Sequence, residues 1–255
     1  MAAETDKELQ QEKKRFLELA DRAERQNLYT FTGFLSLAQQ DVLWQAAKEA
    51  GAFVSLDGGI AHAERRMARF GNPEEFGYEE PFPIRCLLVE PVQEKFADTF
   101  THRDFLGAIM NLGIDRSTVG DILIDQKSAY VFCTETMAPW LTENLTQVRH
   151  TSVRVKAVEE AACLPERKFL SKQEQVASLR CDGIVAAVWN LSRSQSQTLI
   201  SQRKVFVNGR QQENGSALLK AEDVVSVRGM GKFIFRGEKH TTRKGKLVVG
   251  IDLFT

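Results

Sequence analysis

The sequence is short of the residues that build metal sites, disulfide frameworks and membrane spans. Among 255 residues there are four cysteines and four histidines. Cys86, Cys133, Cys163 and Cys181 are widely scattered, and no C-x-x-C pair occurs. Without an export signal, such cysteines are expected to be reduced and mostly buried. His62, His102, His150 and His240 are not spaced from one another or from a cysteine as zinc ligands are, so no metal and no other cofactor is expected. No apolar run approaches the roughly 18 residues that cross a bilayer. The N-terminus, "MAAETDKELQQEKKRF", is charged and has no apolar core, so it is not expected to act as a signal peptide. The expected location is the cytoplasm, with no membrane partner and no small-molecule substrate. No G-x-S-x-G and no dinucleotide fingerprint appears.

Net charge is also lacking, but its zero total hides an asymmetry. Residues 1–164 carry 18 Lys and Arg against 26 Asp and Glu, and residues 165–255 carry 16 against 8. A basic C-terminal third on an acidic body is the electrostatic footprint of a chain that meets polyanions with one end.

Hydrophobic periodicity divides the chain. Residues 6–26 read as a helix, and residues 37–50 as a second helix stopped by Gly51. "FVSLDGGIAHAERRMARF" suggests a short strand, a turn at Asp57-Gly58-Gly59 and a basic segment with Arg65, Arg66 and Arg69. This gives an N-terminal α-rich region, 1–78. The loop "GNPEEFGYEEPFP" marks a boundary near residue 80. Residues 79–160 then alternate: strand 84–92, helix 101–113, strand 119–124, turn, strand 129–133, helix 135–145, strand 151–158. That βαββαβ order is a ferredoxin-like plait. Residues 161–175 read as a linker, 176–240 as a small α+β domain, and 241–255 as a C-terminal strand or tail. The fold class is α+β.

The last domain holds the most informative stretch, "NLSRSQSQTLISQRKVFVNGR", Asn190–Arg210. Ser192 followed by Gln195 fits a capping box, with Arg193 and Ser194 in the first turn. First-turn N–H groups have no partner within a helix and form its positive dipole end, which suits a phosphate. Arg193 adds a guanidinium that can bind phosphate bidentately, and Ser194 and Gln197 add neutral donors. Arg203 and Lys204 leave the far end of the same helix, before a strand and an Asn-Gly turn. Arg180 lies upstream and Lys232 at a loop-to-strand joint. One basic face with small polar residues between the charges fits recognition of a sugar–phosphate backbone by shape.

These residues resemble the RNA-binding domain named after the fourth protein of the small ribosomal subunit, the S-four domain. The resemblance is carried by Arg180-Cys181-Asp182, Ser192-Arg193-Ser194, the run Ile200 to Gly209, and Glu222 to Val227. Cys181 stands where that pattern has Leu. Arg203 stands where it has Gly, which questions a left-handed turn there. Upstream, His102 to Gly107, Leu112 to Arg116 and Gly120 to Ile122 resemble signature runs of the YlmH family, joined by Ala63-Glu64-Arg65-Arg66. The resemblance implies a protein that binds the large ribosomal subunit through rRNA and tRNA, in rescue of stalled nascent chains. It extends the candidate RNA face (Arg180, Ser192, Arg193, Ser194, Gln197, Arg203, Lys204, Lys232) with Arg103 and Arg116 of the plait.

Several motifs point elsewhere and fail. His102-Arg103-Asp104 looks like a kinase catalytic loop, but the Asn that loop needs five residues after the Asp is Ile109. Thr101 and Asp104 instead make a helix-start signal. "GMGKF" lacks the outer residues of a phosphate loop. Phe105, Phe233 and Phe235 are expected in the core rather than as base-stacking platforms. An RNA-modifying enzyme tethered by the S-four domain is the main alternative, but no catalytic motif or cofactor loop supports it. A division-linked interaction protein is another. The expectation is a non-enzyme.

Overall fold

The computed structural model describes residues 2–96, 98–158 and 169–254. They form two compact units, divided between Arg167 and Lys168. Cys163, and the 161–168 part of the expected linker, lie outside the described residues.

The first unit opens with α1 (Ala2–Gln26), β1 (Thr30–Leu35), α2 (Leu37–Ala50), β2 (Val54–Asp57), β3 (Arg66–Phe70) and a single turn, α3 (Pro73–Phe76). Ser36 and Gln39 form a reciprocal capping box that starts α2. Its end is a Schellman closure: Gly51 adopts φ 65°, and the Gly51 and Ala52 N–H groups reach back to Lys48 and Ala47. Phe16, Ala20 and Ala23 of α1 pack with Val42, Leu43 and Ala46 of α2 over Phe70 and Ala68. The region is rich in helix, but it also holds a sheet. β1 was not foreseen, and with β3 and β2 it builds an antiparallel sheet in the order β1-β3-β2. Six residues interrupted by Gly33, with a register shift between Phe31 and Phe34, leave little alternation to read.

The plait follows as β4 (Ile84–Pro91), α4 (His102–Met110), β5 (Val119–Asp125), β6 (Ser128–Thr134), α5 (Ala138–Asn144), a two-residue β7 (Gln147–Val148) and β8 (Thr151–Val158). Its sheet order is β5-β6-β4-β8-β7, and all pairs are antiparallel. Period-two alternation sorts the strands between two cores. Leu87, Val89, Val131 and Cys133 join Phe105 and Ile109 of α4 and Leu141 of α5. Cys86 and Phe132 face the opposite way, against Phe34 and Met67 of the N-terminal sheet, with Phe31, Phe82 and Tyr130 at the margin. The sheet is therefore covered on both faces.

The second unit begins with β9 (Phe169–Val176), so residues 169–175 of the expected linker are a strand instead. Then come α6 (Cys181–Val188), α7 (Arg193–Ser201), β10 (Val205–Val207), β11 (Arg210–Gln211), β12 (Val224–Val227), β13 (Gly231–Thr241) and β14 (Leu247–Phe254). Six strands lie in the order β11-β10-β12-β13-β14-β9. Of the strand or tail expected over 241–255, most is a strand, and an internal one: β14 pairs with β13 on one side and with β9 along its whole length on the other. β9 is half exposed and polar, "FLSKQEQV", which is why its sequence reads as a linker. The core joins Ile184, Val185 and Val188 of α6 and Ile200 of α7 to Val225, Phe233, Phe235, Val249 and Ile251.

Candidate nucleic-acid interface

Ser192 is the N-cap of α7. Its hydroxyl accepts from the Gln195 N–H at 3.2 Å, and its own N–H donates to Gln195 Oε1 at 2.8 Å. The box takes up the Gln195 N–H. The N–H groups of Arg193 and Ser194 have no helical partner and remain at the positive end of the helix. Ser192, Arg193 and Ser194 are all exposed. A shallow groove of about 310 Å³ runs along this face, lined by Leu191, Ser194, Gln195, Thr198, Leu199 and Met230.

Asp182 organises the start of this face. It is fully buried, yet ionic groups converge on it. Arg180 donates to both carboxylate oxygens, Nε to Oδ1 at 3.1 Å and a terminal nitrogen to Oδ2 at 2.7 Å. Gln197 Nε2 lies at 3.5 Å from Oδ2, Arg193 approaches Oδ1 at 3.6 Å, and Ser196 Oγ donates to the Asp182 carbonyl at 2.8 Å. The Arg180 hydrogen bonds hold the Asp182 carboxyl below its ordinary range against the opposing effect of burial, with Gln197 and Arg193 helping. Buried carboxylates persist only when paired in this way.

The candidate residues therefore separate. Arg180 is corrected from a phosphate donor to a clamp, because its fork is already matched to Asp182. Gln197 only approaches that carboxylate and stays exposed. Arg193 and Arg203 each have a carboxylate nearby, Asp182 at 3.6 Å and Glu213 at 4.0 Å, but their side chains stay 57% and 71% exposed. They keep their donors toward solvent. Lys204 is exposed next to Arg203, and its carbonyl accepts from the Arg228 N–H at 2.9 Å. Arg228 lies over the Phe206 ring at 4.7 Å. Arg203, Lys204 and Arg228 thus gather at the C-terminal end of α7. Lys232 is half-buried on β13 opposite Ser226.

Arg203 shows what its sequence departure costs. It sits at φ 58°, with its N–H on the Ile200 carbonyl and the Lys204 N–H on the Leu199 carbonyl. That is a Schellman closure with an arginine at the left-handed position. The equivalent positions after α1, α2 and α6 are Asn27, Gly51 and Asn190, residues that tolerate this conformation. The turn is kept although glycine is absent. Downstream, Asn208 and Gly209 take φ 51° and 75°, the two left-handed residues of the expected Asn-Gly hairpin.

In the plait, Arg103 is exposed on α4. It lines a cleft of about 480 Å³ with Asn111, Asn144, Gln147 and Arg149. Asp104 caps its own helix, accepting from the Thr101 N–H and hydroxyl at 2.8 Å, and these bonds hold its carboxyl low. Arg116 does not join Arg103. Its guanidinium donates to the Val119 and Gly120 carbonyls, and burial lowers its pKa. Its donors are spent inside the fold, so its assignment as an RNA contact is corrected to a structural one. Arg65 and Arg69 are likewise internal. Arg65 donates to Phe34, Arg116 and Val119 carbonyls. Arg69 is buried beside the Tyr29 and Phe82 rings and bonds Glu79 at 2.7 Å.

Phe105, Phe233 and Phe235 are fully buried, as expected for core residues. The roof over the plait sheet has a further consequence: bases cannot stack on that sheet's outer face, the surface many RNA-binding plaits use. Cys86, Cys133 and Cys181 are buried free thiols, each pushed up to about 12 by burial.

Two family models match this architecture. Residues 79–162 match YlmH_RBD, described as "Putative RNA-binding domain in YlmH", and residues 184–225 match the S4 domain, the S-four module under its symbol. "Ribosome-associated protein quality control protein P2" of Bacillus subtilis (strain 168) is 28% identical over 224 residues, covering 84% of this chain and 83% of that protein. The chain thus carries the RNA-binding domain of YlmH followed by an S4 domain. A solved structure, "Cell division protein ylmH from Streptococcus pneumoniae", aligns at 21% identity with a TM-score of 0.49, covering 62% of this chain and 95% of that one.

The YlmH signature runs can now be given physical content. Gly120 lies under the Phe34 ring, where an added Cβ would come within 2.6 Å. Asp121 is buried and accepts from the Glu64 and Arg65 N–H groups at 2.8 and 3.0 Å. With Arg65 reaching the Arg116 carbonyl, the Gly-Asp-Ile run, the Leu-Gly-Ile-x-Arg run and the Ala63 to Arg66 segment meet at one seam. That seam fastens the N-terminal sheet to the plait. Sequence reasoning read Arg116 as a binding residue because an arginine in a signature run looks the same in either role.

Proposed function

We propose that this protein binds RNA of the large ribosomal subunit, with tRNA contact, in quality control of stalled nascent chains, and that it does so without catalysis. The observation that carries this reading is the exposed face of α7. A capped helix start presents Arg193 and Ser194, and Arg203, Lys204 and Arg228 stand at the other end. The unit from Lys168 on carries 15 Lys and Arg against 7 Asp and Glu, which supplies the surrounding field. The relative named for ribosome-associated quality control supports the cellular setting. The plait would add a contact through Arg103 and its cleft rather than through its covered sheet.

The test is co-sedimentation of the full chain with purified ribosomal subunits at two salt concentrations. The reading expects sedimentation with the large subunit that salt weakens and ribonuclease abolishes. Sedimentation with neither subunit would remove it. The non-catalytic part has its own check: mass analysis of rRNA from a strain lacking the protein should show every modification retained.

A further inference from the structure

Among the described residues of the second unit, a further group of cations lies on the β13–β14 hairpin. β13 pairs with β12 only from Gly231 to Ile234, so beyond Phe235 its sole partner is β14. The β13–β14 hairpin then closes through Thr242 to Lys246, with the Thr242 N–H on the Lys246 carbonyl at 2.7 Å and Gly245 at φ 74°. Lys239, Arg243, Lys244 and Lys246 are all exposed on this ribbon. Among the described residues none of the four has an ion-pair partner, whereas Arg180, Arg193, Arg203 and Arg236 each have a carboxylate within 4.0 Å. The one acidic residue of the ribbon, Glu238, accepts from the Thr241 hydroxyl at 3.0 Å. Lys239 lays its stem across Gly250, where a Cβ would meet its Cε at 2.8 Å.

We propose that the β13–β14 hairpin is a second RNA-binding element, gripping the phosphates of a double-stranded segment independently of sequence. Lysine on a free strand edge also discourages edge pairing, which would account for Lys239. It does not account for Arg243, Lys244 and Lys246, which lie in the connection rather than on the pairing edge. The tip sequence, Thr-Thr-Arg-Lys-Gly-Lys, has no aromatic to stack a base and no apolar side chain to form the core of a protein interface. Charge and shape are what remain, and in an A-form duplex those are the features a protein can reach. The hairpin lies outside the residues that match either family model.

The proposal rests on the RNA-binding reading above but not on the α7 face, and the experiment separates the two. Binding of the full chain to a synthetic RNA duplex of about two helical turns is measured over a salt series. One variant carries Lys239→Gln, Arg243→Gln, Lys244→Gln and Lys246→Gln, a second carries Arg243→Lys, Lys244→Arg and Lys246→Arg, and a third carries Arg193→Ala. Each phosphate contact contributes about 0.9 to the slope of log affinity against log salt in a duplex, so the neutral variant, with four cations removed, should lose about 3.6 units and the charge-retaining variant none. A duplex of scrambled sequence should bind equally well. An unchanged slope in the neutral variant overturns the hairpin proposal, whatever Arg193→Ala does. Loss of binding to polyglutamate with RNA binding intact overturns it too, in favour of an acidic protein surface. A normal response to Arg193→Ala beside a silent hairpin leaves the α7 reading standing, and the reverse result leaves only the hairpin.

Discussion

Replacing Arg203 by glycine should make the second unit more stable and the protein a poorer RNA binder. The left-handed conformation at φ 58° costs an ordinary L-residue about 1–2 kcal/mol relative to the right-handed one, a cost glycine escapes. Glycine in turn loses about 0.4–1 kcal/mol through the greater freedom of the unfolded chain. The Schellman bonds from Arg203 and Lys204 are backbone bonds, so Arg203→Gly leaves them in place. The contact with Glu213, at 4.0 Å between two exposed side chains, contributes next to nothing. The net expectation is a gain of about 0.5–1 kcal/mol, or a rise of about 2–8 °C in the unfolding midpoint of a unit this size. Thermal and urea unfolding followed by circular dichroism give the stability, and salt-dependent RNA binding gives the function. The same variant should lose about one unit of salt slope. Arg203→Lys should keep both the strain and the slope. A destabilised Arg203→Gly protein, or one that binds RNA as the parent does, would refute the idea that a cation is kept here at the expense of the backbone.

Asp182→Asn should cost about 2–3 kcal/mol, because Arg180 would lose its charged partner in a buried setting while staying partly exposed itself; urea unfolding checks this. Arg180→Gln should cost at least as much, because it leaves the fully buried Asp182 carboxylate without its main partner. The pH dependence has a definite sign. The Asp182 carboxyl titrates lower in the folded state than when unfolded, so the stability it contributes is complete above the unfolded carboxylate range and is lost as pH falls below about 4 toward its lowered folded value. Asp182→Asn should flatten that acid limb of the stability curve. For the thiols, burial that pushes Cys86, Cys133 and Cys181 up to about 12 predicts that a thiol reagent at neutral pH labels them only on unfolding; fast labelling of any of the three in the native protein would contradict the packing.

Much of this architecture was readable from pattern. The βαββαβ order, the Ser192–Gln195 box and the Asn208-Gly209 hairpin rest on local chemistry: alternation, a side chain that caps, a turn that needs two left-handed residues. What escaped depends on distant partners. β1 is short and bulged, and only pairing with β3 makes it a strand. β9 is polar along most of its length, yet β14 holds it through eight paired positions from Leu247 to Phe254. The site was legible as a location and less so as a division of labour. Arg193 and Arg180 look equivalent in sequence. Only the fold shows that Asp182 takes the fork of Arg180 and merely lies near Arg193. Arg116 misled for the same reason, since its partners are carbonyls that no side-chain pattern reports.

The central idea is that the exposed end of α7 holds RNA by its phosphates. The most direct measurement is the affinity of the full chain for large-subunit rRNA across a salt series, for the parent and for Arg193→Ala combined with Lys204→Ala. Two phosphate contacts removed from a duplex predict a slope shallower by about 2 units with folding stability retained. A slope identical to the parent's would contradict the account.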